Sequence, residues 1–191
     1  DVVSGIAVDA AGGVVVVGNF SGTASFGAGT NQTNLTSISA SDIFVAKFQG
    51  NGTLQWAERI GGPLLSGIGT ARDVAVDASG NIHIVGDVSG TVDFDPSDAA
   101  ANRTPLGSSS STDVFALKLN SLGGFNWVAT FGSSNNSDLG RGIAVDGDGN
   151  VLTTGTLRGG LNDFDPGTGT TTLPYGGGHD VFVSKLEQFG N

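Results

Sequence analysis

Two short phrases concentrate carboxylates in a way that could do chemistry: Asp93-Phe94-Asp95-Pro96-Ser97-Asp98 and Asp163-Phe164-Asp165-Pro166-Gly167. In an extended strand residues i and i+2 face the same side, which would project Asp93 with Asp95 and Asp163 with Asp165. Paired carboxylates repel until solvent, a proton or a cation relieves them. Oxygen-only ligands with backbone carbonyls nearby suit a hard ion such as calcium. The candidate metal ligands are therefore Asp93, Asp95, Asp98, Asp163 and Asp165, with calcium as the candidate cofactor. Two acids specify little, and the plainer reading is an Asp-Pro turn whose carboxylates cap backbone amides. Nearer the N-terminus Ser25-Phe26-Gly27 stands at the matching place, so that copy lacks the acids.

Other chemistry is thinner. Asp146-Gly147-Asp148-Gly149-Asn150 has the look of a calcium loop, but Val151 occupies the position of the required Gly and Leu157 that of the bidentate Glu. It is expected to be a hairpin turn. Asp9, Asp77 and Asp146, then Asp42, Asp113 and Asp180, then Lys47, Lys118 and Lys185 each recur once per repeat. Residues that recur in this way solve a shared backbone problem, and all nine read as structural. His83, between Ile82 and Ile84, faces opposite to both, and a lone strand histidine suits a surface or satisfied core position better than catalysis. No nucleophile elbow, zinc-protease helix, Walker loop or dinucleotide fingerprint occurs, so no catalytic residue is assigned. Six N-x-S/T sites, at Asn19, Asn31, Asn34, Asn51, Asn102 and Asn135, matter only in a glycosylating host.

The elements that must position these residues announce themselves by repetition. Gly5-Ile6-Ala7-Val8-Asp9 returns at Asp73-Val74-Ala75-Val76-Asp77 and at Gly142-Ile143-Ala144-Val145-Asp146, at steps of 68 and 69 residues. Asp42-Ile43-Phe44-Val45-Ala46-Lys47 returns at Asp113 to Lys118 and Asp180 to Lys185. A fixed period means one supersecondary unit stacked on its copies. The units span 1–69, 70–137 and 138–191. Four strand-like segments are expected in the first, Gly5 to Asp9, Val14 to Asn19, Ile43 to Phe48 and Leu54 to Ile60. Gly- and Asn-rich turns separate them. The strands are apolar on both faces: Ile43 and Val45 oppose Phe44, Ala46 and Phe48, while Phe125, Trp127 and Phe131 oppose Val128. Sheets covered front and back, with the small Ala7, Ala75 and Ala144 at a crowded inner position, point to a ring of four-stranded antiparallel blades, an all-β propeller. Asp1 aligns with Asp138 and Gly190 with Gly52, so the third repeat stops before its fourth strand and eleven strands are expected in all.

These phrases resemble the SBBP class of bacterial β-propeller repeats. The pattern G-I-A-V-D, G-N, a β-rich stretch ending in Gly, then D-x-F-V-x-K is met by Gly142 to Asp146, Gly149-Asn150, Gly155 and Asp180 to Lys185. Trp56 and Trp127 follow Lys47 and Lys118 by nine residues, as the tryptophan of that pattern does. The resemblance covers essentially the whole chain. It implies parts of large secreted or surface proteins and carries no catalytic set.

Composition narrows the partners. A net charge of −10 speaks against nucleic acid and anionic membrane, and Cys 0 removes disulfides and thiol chemistry. No apolar run approaches a membrane span, no signal-peptide pattern opens the chain, and Met 0 suggests a processed form or an excised piece. The expected function is a non-enzymatic, extracellular or cell-surface scaffold for adhesion or structural protein–protein interaction. The rivals are a calcium-dependent carbohydrate-binding propeller and a non-catalytic part of a larger propeller enzyme. Three repeats are fewer than a closed propeller needs, so further blades, from a longer chain or a homo-oligomer, are expected at both ends.

Overall fold

The computed structural model describes residues 1–61, 67–97, 100–104, 111–133, 136–159, 162–174 and 176–190. Blade 1 comprises β1 (Val2–Val8), β2 (Val14–Phe20), β3 (Thr23–Phe26), β4 (Thr33–Thr36), β5 (Asp42–Phe48) and β6 (Leu54–Ile60). Blade 2 comprises β7 (Ile68–Val76), β8 (Ile82–Ser89), β9 (Val92–Asp93), β10 (Asn102–Arg103), β11 (Asp113–Leu119) and β12 (Phe125–Ser133). Blade 3 comprises β13 (Leu139–Val145), β14 (Val151–Leu157), β15 (Asn162–Asp163), β16 (Thr172–Leu173) and β17 (Asp180–Leu186). The blade sheets run β1-β2-β5-β6, β7-β8-β11-β12 and β13-β14-β17, antiparallel throughout. The eleven expected strands are present, and the third blade has three. Six short strands in the linkers are additional: β3–β4, β9–β10 and β15–β16 form small hairpins between the second and third strands of each blade.

The turns follow from glycine. Gly12, Gly80 and Gly149 close the first hairpins at φ of 82°, 80° and 83°, a region that costs other residues a steric clash. The preceding aspartates fix the same turns. Asp146, for example, accepts from the amides of Asp148 and Asn150 and from the Asn150 side chain. The calcium-like phrase is thus a hairpin turn.

Apolar burial on both faces stacks the blades. Ile43 and Val45 of β5 share a core with Ile84, Phe115 and Leu117 of blade 2. Val114 and Ala116 of β11 share the next core with Phe182 and Leu186 of blade 3. Each blade therefore has a front face, carrying Phe44, Phe115 or Phe182, and a back face turned to the following blade. The crowded inner position is not at the alanines, since Ala7 and Ala75 are half-buried and Ala144 is exposed. It is at Gly18, Gly86 and Gly155 of the second strands. A methyl there would stand 2.0, 1.9 and 2.0 Å from the carbonyls of Val2, Thr70 and Leu139, with the third-strand phenylalanine also within 2.7 Å. A bulge between Lys118 and Leu119 corrects a second expectation: it turns Phe125 to the front core, leaving Trp127 and Phe131 at the back.

Candidate functional site

The acidic phrases lie in the linker hairpins and are anchored by the residue between the acids. Phe94 stacks on Phe115 with centroids 4.8 Å apart, Phe164 on Phe182 at 5.0 Å, and Phe26 on Phe44 at 4.9 Å. Each linker thus folds back over the front face of its own blade, ring on ring. In blade 3 the linker also reaches the neighbouring blade, where Asp163 and Asn162 pair with Gly132 and Ser133 of β12.

The strand expected to carry Asp93 and Asp95 on one side ends at Asp93, and β15 likewise ends at Asp163. Beyond them the chain turns, and the carboxylates hold the turn. Asp93 Oδ1 accepts from the amides of Asp95 (3.1 Å) and Ala101 (2.8 Å), and Asp95 Oδ1 from that of Ser97 (2.9 Å). Blade 3 repeats this: Asp163 Oδ1 accepts from Asp165 and Thr171, both at 3.0 Å, and Asp165 Oδ1 from Gly167 at 2.7 Å. One oxygen of each acid is therefore committed to the backbone. Asp98 lies outside the described residues. Among the described residues no three acids or histidines gather as metal ligands would.

The recurrent charges meet at one edge of the array. Lys47 reaches Asp9 at 3.0 Å, Lys118 lies 3.8 Å from Asp77, and Lys185 donates to Asp146 at 2.8 Å. Lysine pairing and the turn amides hold the Asp9 and Asp146 carboxyls below the usual range. Of the second set, Asp42 is buried and accepts from the Ile38 amide, Ser39 Oγ and Arg59. Asp113 is buried, and Asp180 accepts from the Gly176 amide at 2.6 Å. His83 is a core residue, fully buried, with Nε2 3.1 Å from Asp77 Oδ2 and its ring edge-on to Trp127. Burial lowers its pKa against the pull of Asp77. His179 is exposed.

Sequence reasoning missed a latch between blades. Asn19 Nδ2 donates to the Gly69 carbonyl (2.7 Å) and its Oδ1 accepts from the Ala71 amide (3.1 Å). Asp87, one blade on, accepts from the Gly140 amide at 3.0 Å while Arg72 holds its other oxygen at 2.7 Å. Burial raises the Asp87 pKa despite that arginine. The signal was a polar residue at the same place near the end of an otherwise apolar second strand. Asn19 also opens an N-x-S sequon, which carries no hint of that role.

Residues 126–156 match the SBBP beta-propeller repeat. The matched segment runs through β12, the first hairpin of blade 3 and most of β14, across the blade 2–blade 3 junction. The match supports an SBBP-type repeat at that junction, and the blades on either side of it share its strand order and stacked cores. An uncharacterized WD repeat-containing protein, L264, of Acanthamoeba polyphaga mimivirus is 31% identical over 147 residues, covering 69% of this chain. The similarity spans 10% of that protein's length. Both similarities are to repeat-built proteins.

Proposed function

We propose that the chain is a non-enzymatic propeller segment acting outside the cell or on its surface, where its linkers make adhesive or structural contacts with other proteins. The observation that carries this is the contrast between frame and linkers. The first three strands, their turns and the stacked phenylalanines recur in all three blades, whereas the linkers 21–41, 90–112 and 158–179 differ in sequence outside the Asp-Phe-Asp-Pro phrase that blades 2 and 3 share. A rigid frame bearing variable loops suits recognition. Further blades, on a longer chain or on other copies, extend the array at both ends in this reading.

Calcium-dependent carbohydrate binding is the second reading, favoured by the acids that blades 2 and 3 share and blade 1 lacks. Retention of the labelled chain on arrayed extracellular proteins and glycans, in calcium or in EDTA, separates the two. The scaffold reading expects retention on protein spots that survives EDTA and falls when linker 90–112 is exchanged for 21–41. Retention confined to glycans and lost in EDTA overturns it in favour of the second.

A further inference from the structure

Two buried carboxylates meet where the chain crosses from blade 2 into blade 3. Asp113 opens β11 and Asp138 stands one residue before β13, and both are 0% exposed. A methyl built on Gly132 of β12 would stand 2.7 Å from Asp113 Oδ1 and 2.9 Å from Asp138 Oδ2, so the two oxygens converge on one point. The backbone holds Asp138 in place. Its amide donates to the Thr112 carbonyl at 2.7 Å, and its Oδ1 accepts from the Arg158 amide at 2.8 Å.

The second oxygen is left over. Among the described residues Asp138 Oδ2 has no hydrogen-bond partner, and neither has Ser133 Oγ, whose residue is also 0% exposed. Burial raises the Asp138 pKa, opposed by the Arg158 amide and by the Ser133 hydroxyl and amide. The Ser133 hydroxyl thus lies close enough to favour the anion, though not in hydrogen-bonding geometry. Buried polar atoms are nearly always satisfied, and a set left over together marks a place for a water or an ion.

Blade 1 completes the same place from within the chain. Asp42, the counterpart of Asp113, is met by Arg59 at 3.2 Å, and Gly61 takes the place of Gly132 against it. Arg59 lies opposite Phe44 in the ladder, whereas opposite Phe115 stands Thr130. By the same register Asp138, two residues before Gly140, falls where Gly69 precedes Ala71. From one junction to the next an arginine becomes a threonine and a glycine becomes an aspartate. All eight lysines and arginines are described, and none of them forms an ion pair with Asp138.

We propose that Asp113 Oδ1, Asp138 Oδ2 and Ser133 Oγ form a calcium site that ties blade 2 to blade 3. Oxygen donors of this kind suit a hard ion, and two carboxylates match the charge of a divalent one. Calcium takes about six to eight oxygens in flexible geometry, so backbone carbonyls and water complete the shell. Magnesium demands a near-ideal octahedron and parts with its water reluctantly, which suits a buried site of this kind less well. The site is separate from the linker acids and independent of the adhesive role, so failure of the array screen would leave it standing.

Equilibrium dialysis of the chain against calcium in a sodium chloride buffer is the test. A single ion per chain is expected, with a dissociation constant of ~0.1–1 mM, the weak end of calcium sites. Asp138→Asn keeps the shape and removes a charge, and should weaken binding by about tenfold or more, since affinity follows ligand charge. Thr130→Arg supplies the cation that blade 1 carries. It should abolish calcium binding while raising the unfolding temperature of the calcium-free chain, a result that a misfolded variant could not give. No binding well above the expected range overturns the proposal, as does binding that Asp138→Asn leaves unchanged. Loss of binding in Asp95→Asn with Asp165→Asn but not in Asp138→Asn would place the ion in the linkers and equally overturn it. So would a stability that acid raises and calcium does not, because the two carboxylates would then share a proton instead.

Discussion

His83 occupies a position filled by Val15 in blade 1 and Leu152 in blade 3, all three opposite the recurrent lysine. It is a fully buried titratable group set between the Asp77 carboxylate and the Trp127 ring. Burial disfavours its charged form, and Lys118 works in the same direction, while Asp77 pulls the other way and loses. The folded pKa therefore lies below the unfolded value of 6.5. As pH falls through that value the unfolded chain takes up a proton that the fold still refuses, so stability declines. The slope is at most about 1.4 kcal/mol per pH unit and vanishes below the folded pKa, where both states are protonated. Asp87 and Asp138, raised by burial, act in the opposite direction above their ordinary 3.8. The informative measurement is thus the difference between wild type and His83→Leu in urea melts from pH 8 to pH 5. The variant is expected to lose the acid-side decline. Parallel profiles would mean that the imidazole titrates alike in the folded and the unfolded chain. The exposed Lys185–Asp146 pair, by contrast, is a surface ion pair and should add little beyond the turn it closes.

At the scale of elements, strands and linkers obey different physics, and that decides what the sequence discloses. The strands β5, β11 and β17 repeat one apolar phrase that opens on an Asp and carries a recurrent Lys one residue before its end, so period and limits were legible. The linker hairpins were not. β9 and β15 are two residues long, too short for any period, and they are held by one stacked ring and by side-chain-to-amide bonds. Phe94 therefore carries more than the acids beside it. It is fully buried against Phe115, and Phe94→Ala is expected to cost about 3–5 kcal/mol, as for large aromatics removed from cores. Hydrogen exchange gives the sharper test. The amides of Asp95 and Ala101, bonded to Asp93, should lose protection before those of β8, because the linker opens first. Uniform loss across the blade would show that linker and sheet unfold as one unit. The candidate metal ligands illustrate the same limit: their spacing was visible, but that Asp93, Asp95, Asp163 and Asp165 each give an oxygen to the backbone depends on where the strand stops. The bulge after Lys118, which moves Phe125 to the other face, left no mark in the alternation either.

The whole molecule is a stack whose two ends differ, and the back of blade 3 is the more exposed. Ile43 and Val45 in blade 1, and Val114 and Ala116 in blade 2, are all 0% exposed, covered by the blade that follows. Their counterparts in blade 3, Val181 and Val183, are 85% and 73% exposed. They lie on β17, which is the edge of its sheet and presents unpaired backbone groups along its length. Apolar side chains on an open edge strand are a template for pairing with another chain. The chain at high concentration is therefore expected to associate, its weight-average mass in light scattering rising with concentration. Val181→Lys with Val183→Lys should return it to the monomer mass, since edge lysines resist strand pairing and apolar contact alike. Both positions are solvated in the single chain, so the double variant should leave the unfolding free energy from urea melts within about 0.5 kcal/mol of wild type. A wild-type chain that remains monomeric over the whole concentration range would show that the back face of blade 3 is tolerated by solvent. A large drop in stability of the variant would instead place these valines in contacts within the monomer.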